Sequence, residues 1–197
     1  MKQILIYGDS NVHGETERAA VRYSAHERWS GRLKTALRGR AEVVEEGFSG
    51  RAAGDIKTGD QTPANGHLHF PTVYLSHTPL DLVVIALGTN DCWKKYRQTS
   101  EAILENLKWY IEETRVREKT ESHAPTPRFL FLIPPSSTAA DFDDTVRGEL
   151  QQRMIEALPS VLIENVEYCP DEVHFSPEGH ATVASAVRQA IEKELDL

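Results

Sequence analysis

Residues 2–17 run KQILIYGDSNVHGETE. Four apolar residues, Ile4-Leu5-Ile6-Tyr7, stop abruptly at Gly8-Asp9-Ser10-Asn11. A near-continuous apolar run is what a parallel strand covered on both faces requires. Such a strand delivers the residues that follow it to the carboxyl edge of its sheet, where open α/β sheets bind ligands. The block therefore fits two readings: a plain strand-to-loop turn, or a serine held at the sheet edge for chemistry.

Further along the chain, Val43-Val44, Leu80–Leu87 and Phe129–Ile133 have the same strand character, with Val161–Ile163 a weaker fifth. Helical spacing lies between them. Trp29, Leu33, Ala36 and Leu37 share one face, as do Ile103, Leu104, Leu107 and Ile111 within Glu101–Arg115. Phe142, Val146, Leu150, Met154 and Leu158 recur every fourth residue, and Pro159 closes that run. A last helix opens at Ser176-Pro177, a natural cap and first-turn pair, with Val183, Val187, Ile191 and Leu195 as its apolar stripe. Alternating strands and helices predict an α/β fold, a three-layer sandwich on a parallel sheet of five strands. The 197 residues suit one domain, 1–197. Residues Gly54 to Pro71 have no period and are rich in turn formers, which predicts a long loop beside the site.

Composition narrows the function classes. The net charge of −8 argues against a nucleic-acid partner, whose phosphates call for a basic surface. No apolar run approaches the roughly 20 residues of a membrane span. The N-terminus lacks the apolar stretch and cleavage site of a secretory signal. Two cysteines, Cys92 and Cys169, read as free thiols. These features together predict a cytoplasmic chain with no membrane partner.

The residues after each strand are the polar ones. Gly8-Asp9-Ser10-Asn11 follows the first, Gly47-Phe48-Ser49-Gly50-Arg51 the second, Gly88-Thr89-Asn90-Asp91 the third, and Pro134-Pro135-Ser136-Ser137 the fourth. Asp171-Glu172-Val173-His174 lies beyond the fifth. Acyl transfer by a serine needs a nucleophile, an imidazole base oriented by a carboxylate, and donors for an oxyanion. Ser10, His174 and Asp171 fit the first three roles. The Asn90 amide and the backbone N–H groups of Ser10 and Gly50 fit the last.

These blocks resemble the SGNH, or GDSL-type, hydrolases. Gly8-Asp9-Ser10 is similar to the serine motif, Gly50 to the glycine block, Gly88-Thr89-Asn90-Asp91 to the G-x-N-D block, and Asp171 to His174 to the D-x-x-H block. The four occur in the family's order across residues 8 to 174. The resemblance implies a flavodoxin-like three-layer fold and hydrolysis of small-molecule esters or thioesters, with neither metal nor cofactor. ERWSGRL, residues 27–33, and EEGFSGR, residues 45–51, resemble the arylesterase and acyltransferase branch. That branch implies acyl transfer to alcohols beside hydrolysis, and a homo-oligomer in some members. Asn11 stands where the family's leucine usually sits, and Gly47 where many relatives carry asparagine.

Other residues need both readings. Asn11, Trp93, Pro134 and Pro135 are candidates for the wall of the substrate pocket, against ordinary packing. Ser49 nearly completes a G-x-S-x-G elbow, but Arg51 replaces the second glycine. Asp9 and Asp91 read as loop-holding residues, His180 as a packing or capping residue. His67 and His69 read as loop polarity rather than metal ligands, and Cys92 as an inert buried thiol. A carbohydrate O-deacetylase shares the same mechanism, and a non-catalytic module could use the same rim to hold a polar ligand.

Overall fold

The computed structural model describes all residues except 19–20, 57–61 and 123. Five parallel strands, β1 Lys2–Gly8, β2 Ala41–Gly47, β3 Leu82–Ala86, β4 Arg128–Leu132 and β5 Ser160–Val161, form one sheet in the order β2-β1-β3-β4-β5. This is the flavodoxin-like order. β2 is longer than its two-valine core predicted, and β3 and β5 are shorter than their apolar runs.

The pleat splits the first strand's apolar run between two cores. Ile4 and Ile6 join Trp29, Leu33, Val183 and Val187 on the face covered by α2 Trp29–Ala36 and α6 Pro177–Leu195. Leu5 and Tyr7 join Phe70, Leu107 and Leu150 on the face covered by α3 Gly66–His77, α4 Ser100–Arg117 and α5 Asp144–Ala157. The Ser176 hydroxyl caps α6 by accepting from Gly179 N–H, and Pro177 is its first residue.

α3 corrects the reading of residues 54–71 as loop. Residues 66–71 are its first turns, while 57–61 lie outside the described residues. Pro71 removes one intrahelical donor and reads as a breaker. Against it, the Asn65 side chain accepts from His67 and Leu68 N–H. Four residues apart, Phe70 and Tyr74 are both buried and stacked at 5.8 Å, and Phe70 meets Tyr110 edge-on at 4.8 Å. Burying two aromatic rings is worth several kcal/mol, about what one mid-helix proline costs.

In this strand order the topological switch point lies between β1 and β3, where Gly8 pairs with Ala86. The rim is built there. Gly8 must be glycine, because a Cβ would sit 2.3 Å from Val12 and 2.7 Å from the Ala86 carbonyl.

Candidate active site

A four-residue helix, α1 Ser10–His13, follows β1 directly and was not predicted. Asp9 is its cap, accepting from Asn11 N–H at 2.9 Å. Burial pushes the Asp9 carboxyl up to about 6, against that N–H. Because Asp9 does the capping, the Ser10 hydroxyl is not committed to it. Gly47 packs beneath α1, and a Cβ there would meet the His13 nitrogen at 2.2 Å. The asparagine that many relatives carry would have no room.

His174 and Asp171 lie in a tight turn, residues 169–175. His174 Nδ1 and Asp171 Oδ2 are 2.6 Å apart. The other carboxylate oxygen accepts from Val173 N–H at 2.9 Å and His174 N–H at 3.0 Å. Partial burial raises the Asp171 pKa, but the His174 N–H, the His174 ring and the Val173 N–H outweigh it and hold the carboxyl below its usual value.

Asn11 joins this turn to α1. Its Nδ2 donates to the Val173 carbonyl at 3.2 Å, and its Oδ1 accepts from Phe175 N–H at 2.9 Å. The two bonds bracket His174. Its amide is spent on main chain and the residue is only 5% exposed. Among the described residues, neither the Ser10 hydroxyl nor His174 Nε2 has a hydrogen-bond partner, so both stay free for a bond to each other or to a substrate. Such contacts commonly close only when substrate arrives.

The opposite side of the rim follows β2 and β3. Asn90 Nδ2 donates to the Arg51 carbonyl at 3.0 Å, leaving its second N–H for another acceptor. Trp93 Nε1 donates to Asn90 Oδ1 at 3.3 Å, which settles the end of the amide that carries the donors. Trp93 therefore orients Asn90, rather than serving only as pocket wall, and its ring packs on Phe142 at 4.6 Å. Asp91, fully buried, accepts from Ala53 N–H at 2.9 and 3.2 Å and ties this turn to the segment after Gly50. Burial pushes its carboxyl up to about 7. Gly50 is exposed with φ +73°, and open space surrounds a would-be Cβ. Its requirement is conformational.

Sequence reasoning gave Arg51 no role beyond spoiling an elbow. Its buried guanidinium donates to the carbonyls of Gly8, Glu46 and Pro63 and lies 4.1 Å over the Tyr7 ring. It pins the ends of β1 and β2 together. Ser49 sits in an exposed turn with no helix behind it, so the nucleophile-elbow geometry is not formed. Pro134 and Pro135 are buried and share a narrow crevice with Asp9, Asn11, Thr89 and Phe175.

The remaining candidates fall outside the rim's chemistry. His67 lies on α3, stacked on Trp109 at 4.0 Å and bonded to the Asn106 carbonyl. No cluster of three or more His, Cys, Asp or Glu suited to a metal occurs among the described residues. Burial and Asp91 push the Cys92 thiol up to about 12, so it is not a thiolate. His180 is buried, accepts from Trp29 N–H and is lowered to about 4 by burial and Arg32.

Residues 6–182 match the model of the GDSL-like lipase/acylhydrolase family. The chain belongs to that family. Its fold is similar to that of the native Mycobacterium smegmatis aryl esterase, with a TM-score of 0.85 and 24% identity over 98% of this chain and 99% of that one. A carbohydrate acetylesterase family member from Sinorhizobium meliloti is 26% identical, with a TM-score of 0.84 over the whole of both chains. YqeF, an uncharacterized lipoprotein of Bacillus subtilis strain 168, is 29% identical over 137 residues, 68% of this chain and 49% of that protein. The match thus spans about half the length of that curated relative. It overturns the cytoplasmic expectation: a relative is a lipoprotein, and the want of an apolar leader in these residues does not assign a compartment. No helix among the described residues is long and apolar enough to cross a membrane.

Proposed function

We propose that the chain is a serine esterase working through an acyl-enzyme on Ser10, within one catalytic domain, residues 1–197. The observation that carries the reading is the Asp171–His174 pair at 2.6 Å, bracketed onto the Ser10 helix by the two Asn11 hydrogen bonds. In this reading His174 takes the Ser10 proton as Oγ attacks the acyl carbon. Asp171 holds the Nδ1–H tautomer and stabilises the imidazolium. The free N–H of Asn90 and the main-chain N–H groups of Ser10 and Gly50 receive the oxyanion. His174 then protonates the departing alcohol, and water, activated by the same imidazole, releases the acid. An alcohol in place of water gives transesterification.

The test is hydrolysis of p-nitrophenyl acetate, butyrate and octanoate, with a fluorophosphonate label as a second readout. Ser10→Ala should lose at least a thousandfold in kcat and all labelling, while Ser49→Ala keeps both. Labelling that persists in Ser10→Ala would refute the assignment.

A further inference from the structure

Glu15 follows the α1 cap, Gly14, and its N–H donates to the Ser10 carbonyl at 2.9 Å. Its side chain is 17% exposed, and one carboxylate oxygen, Oε2, is buried without a hydrogen-bond partner among the described residues. That oxygen lies 3.9 Å from His174 Nε2. The separation is too long for a hydrogen bond, but it puts the carboxylate beside the nitrogen that handles the proton. The guanidinium groups nearby are committed elsewhere. Arg28 pairs with Glu45 at 2.8 and 3.1 Å, and Arg22 donates to the His13 carbonyl.

A buried, unpaired carboxylate oxygen is costly unless a donor reaches it. In acylation the Ser10 Oγ–acyl bond forms and the acyl–alkoxy bond breaks. The Ser10 proton passes through His174 Nε2 to the leaving oxygen, so the alcohol portion sits beside Nε2 and hence beside Glu15.

We propose that Glu15 determines specificity on the alcohol side: it accepts a hydrogen bond from a hydroxyl or protonated amine of the leaving alcohol, so the preferred substrates are esters of donor-bearing alcohols. The inference rests on the Ser10–His174 reading. It assigns the Glu15 carboxylate a role in choosing substrates and none in the bond changes themselves.

Two isosteric pairs test it. 2-(Dimethylamino)ethyl acetate, protonated at neutral pH, is compared with 3-methylbutyl acetate, and 2-hydroxyethyl acetate with propyl acetate. The parent should favour the donor-bearing member of each pair by about tenfold in kcat/KM. Glu15→Leu should bring both ratios near one. Glu15→Gln, which keeps an acceptor of the same shape, should retain the hydroxyl preference and lose the ammonium preference. Each ratio is taken within one variant, so a general loss of folded enzyme cancels. Ratios near one in the parent, or the same ratios in parent and Glu15→Leu, would overturn the role of Glu15 and leave the esterase standing. A parent inactive on all four esters and unlabelled by fluorophosphonate would remove the esterase reading, and this inference with it.

Discussion

The turn 169–175 and the turn 88–93 meet the same rim, each with an aspartate, and treat the two carboxyl groups in opposite ways. Asp171 accepts from two main-chain N–H groups and an imidazole, and it is held below its usual value. Asp91 is buried against the Ala53 N–H and is raised to about 7. The first is a charge kept available to an imidazole. The second is a polar tie inside the protein, costly to ionise. Which aspartate stays ionised thus depends on how many donors face it and how much water is excluded. Both have glycine-rich or turn-forming neighbours in the chain.

Mutations at the two turns should separate these roles. Asp171→Asn keeps the shape of the turn but gives His174 an uncharged partner; turnover of p-nitrophenyl acetate should fall by roughly three to four decades. A loss under tenfold would place the catalytic carboxylate elsewhere. Asn90→Ala removes the proposed oxyanion donor and should cost about two to three decades in kcat. An unchanged kcat would leave the asparagine turn as scaffold only.

The smallest effect is on stability. The folded pKa of Asp91, about 7, lies above its ordinary value of 3.8. The folded state therefore binds this proton more tightly, and the contribution is full below about pH 4 and gone above about pH 7. His180, lowered to about 4, works the other way, penalising the fold as pH drops. The useful quantity is the difference between the parent and Asp91→Asn, which lacks this titration. From pH 5 to pH 8 the parent should lose on the order of 2 kcal/mol relative to the variant, several degrees in Tm. Parallel Tm curves would mean that Asp91 is ionised throughout and that burial does not set its state.

What the chain determined by itself is local. The apolar run Ile4–Tyr7 and its counterparts define buried parallel strands, because period and residue type depend on near neighbours alone. The spacing of Asp171 and His174 brings carboxylate and ring together within three residues. The Ser176 cap and the Pro177 start of α6 are legible for the same reason. The order of polar blocks along the chain also points to one rim, since parallel strands deliver them to one edge.

Tertiary structure decided the rest, through contacts distant in sequence. Asn11 grips main chain 162 and 164 residues away, and Arg51 reaches Gly8 across 43. The stretches ERWSGRL and EEGFSGR meet through Arg28 and Glu45, 17 residues apart. α3 survives Pro71 because Phe70 and Tyr74 find a core that their own segment does not announce. Glu15 looks like one acidic residue among many until the fold sets it beside His174. Side-chain periodicity records which face is buried, but not what lies opposite; that depends on the path of the whole chain.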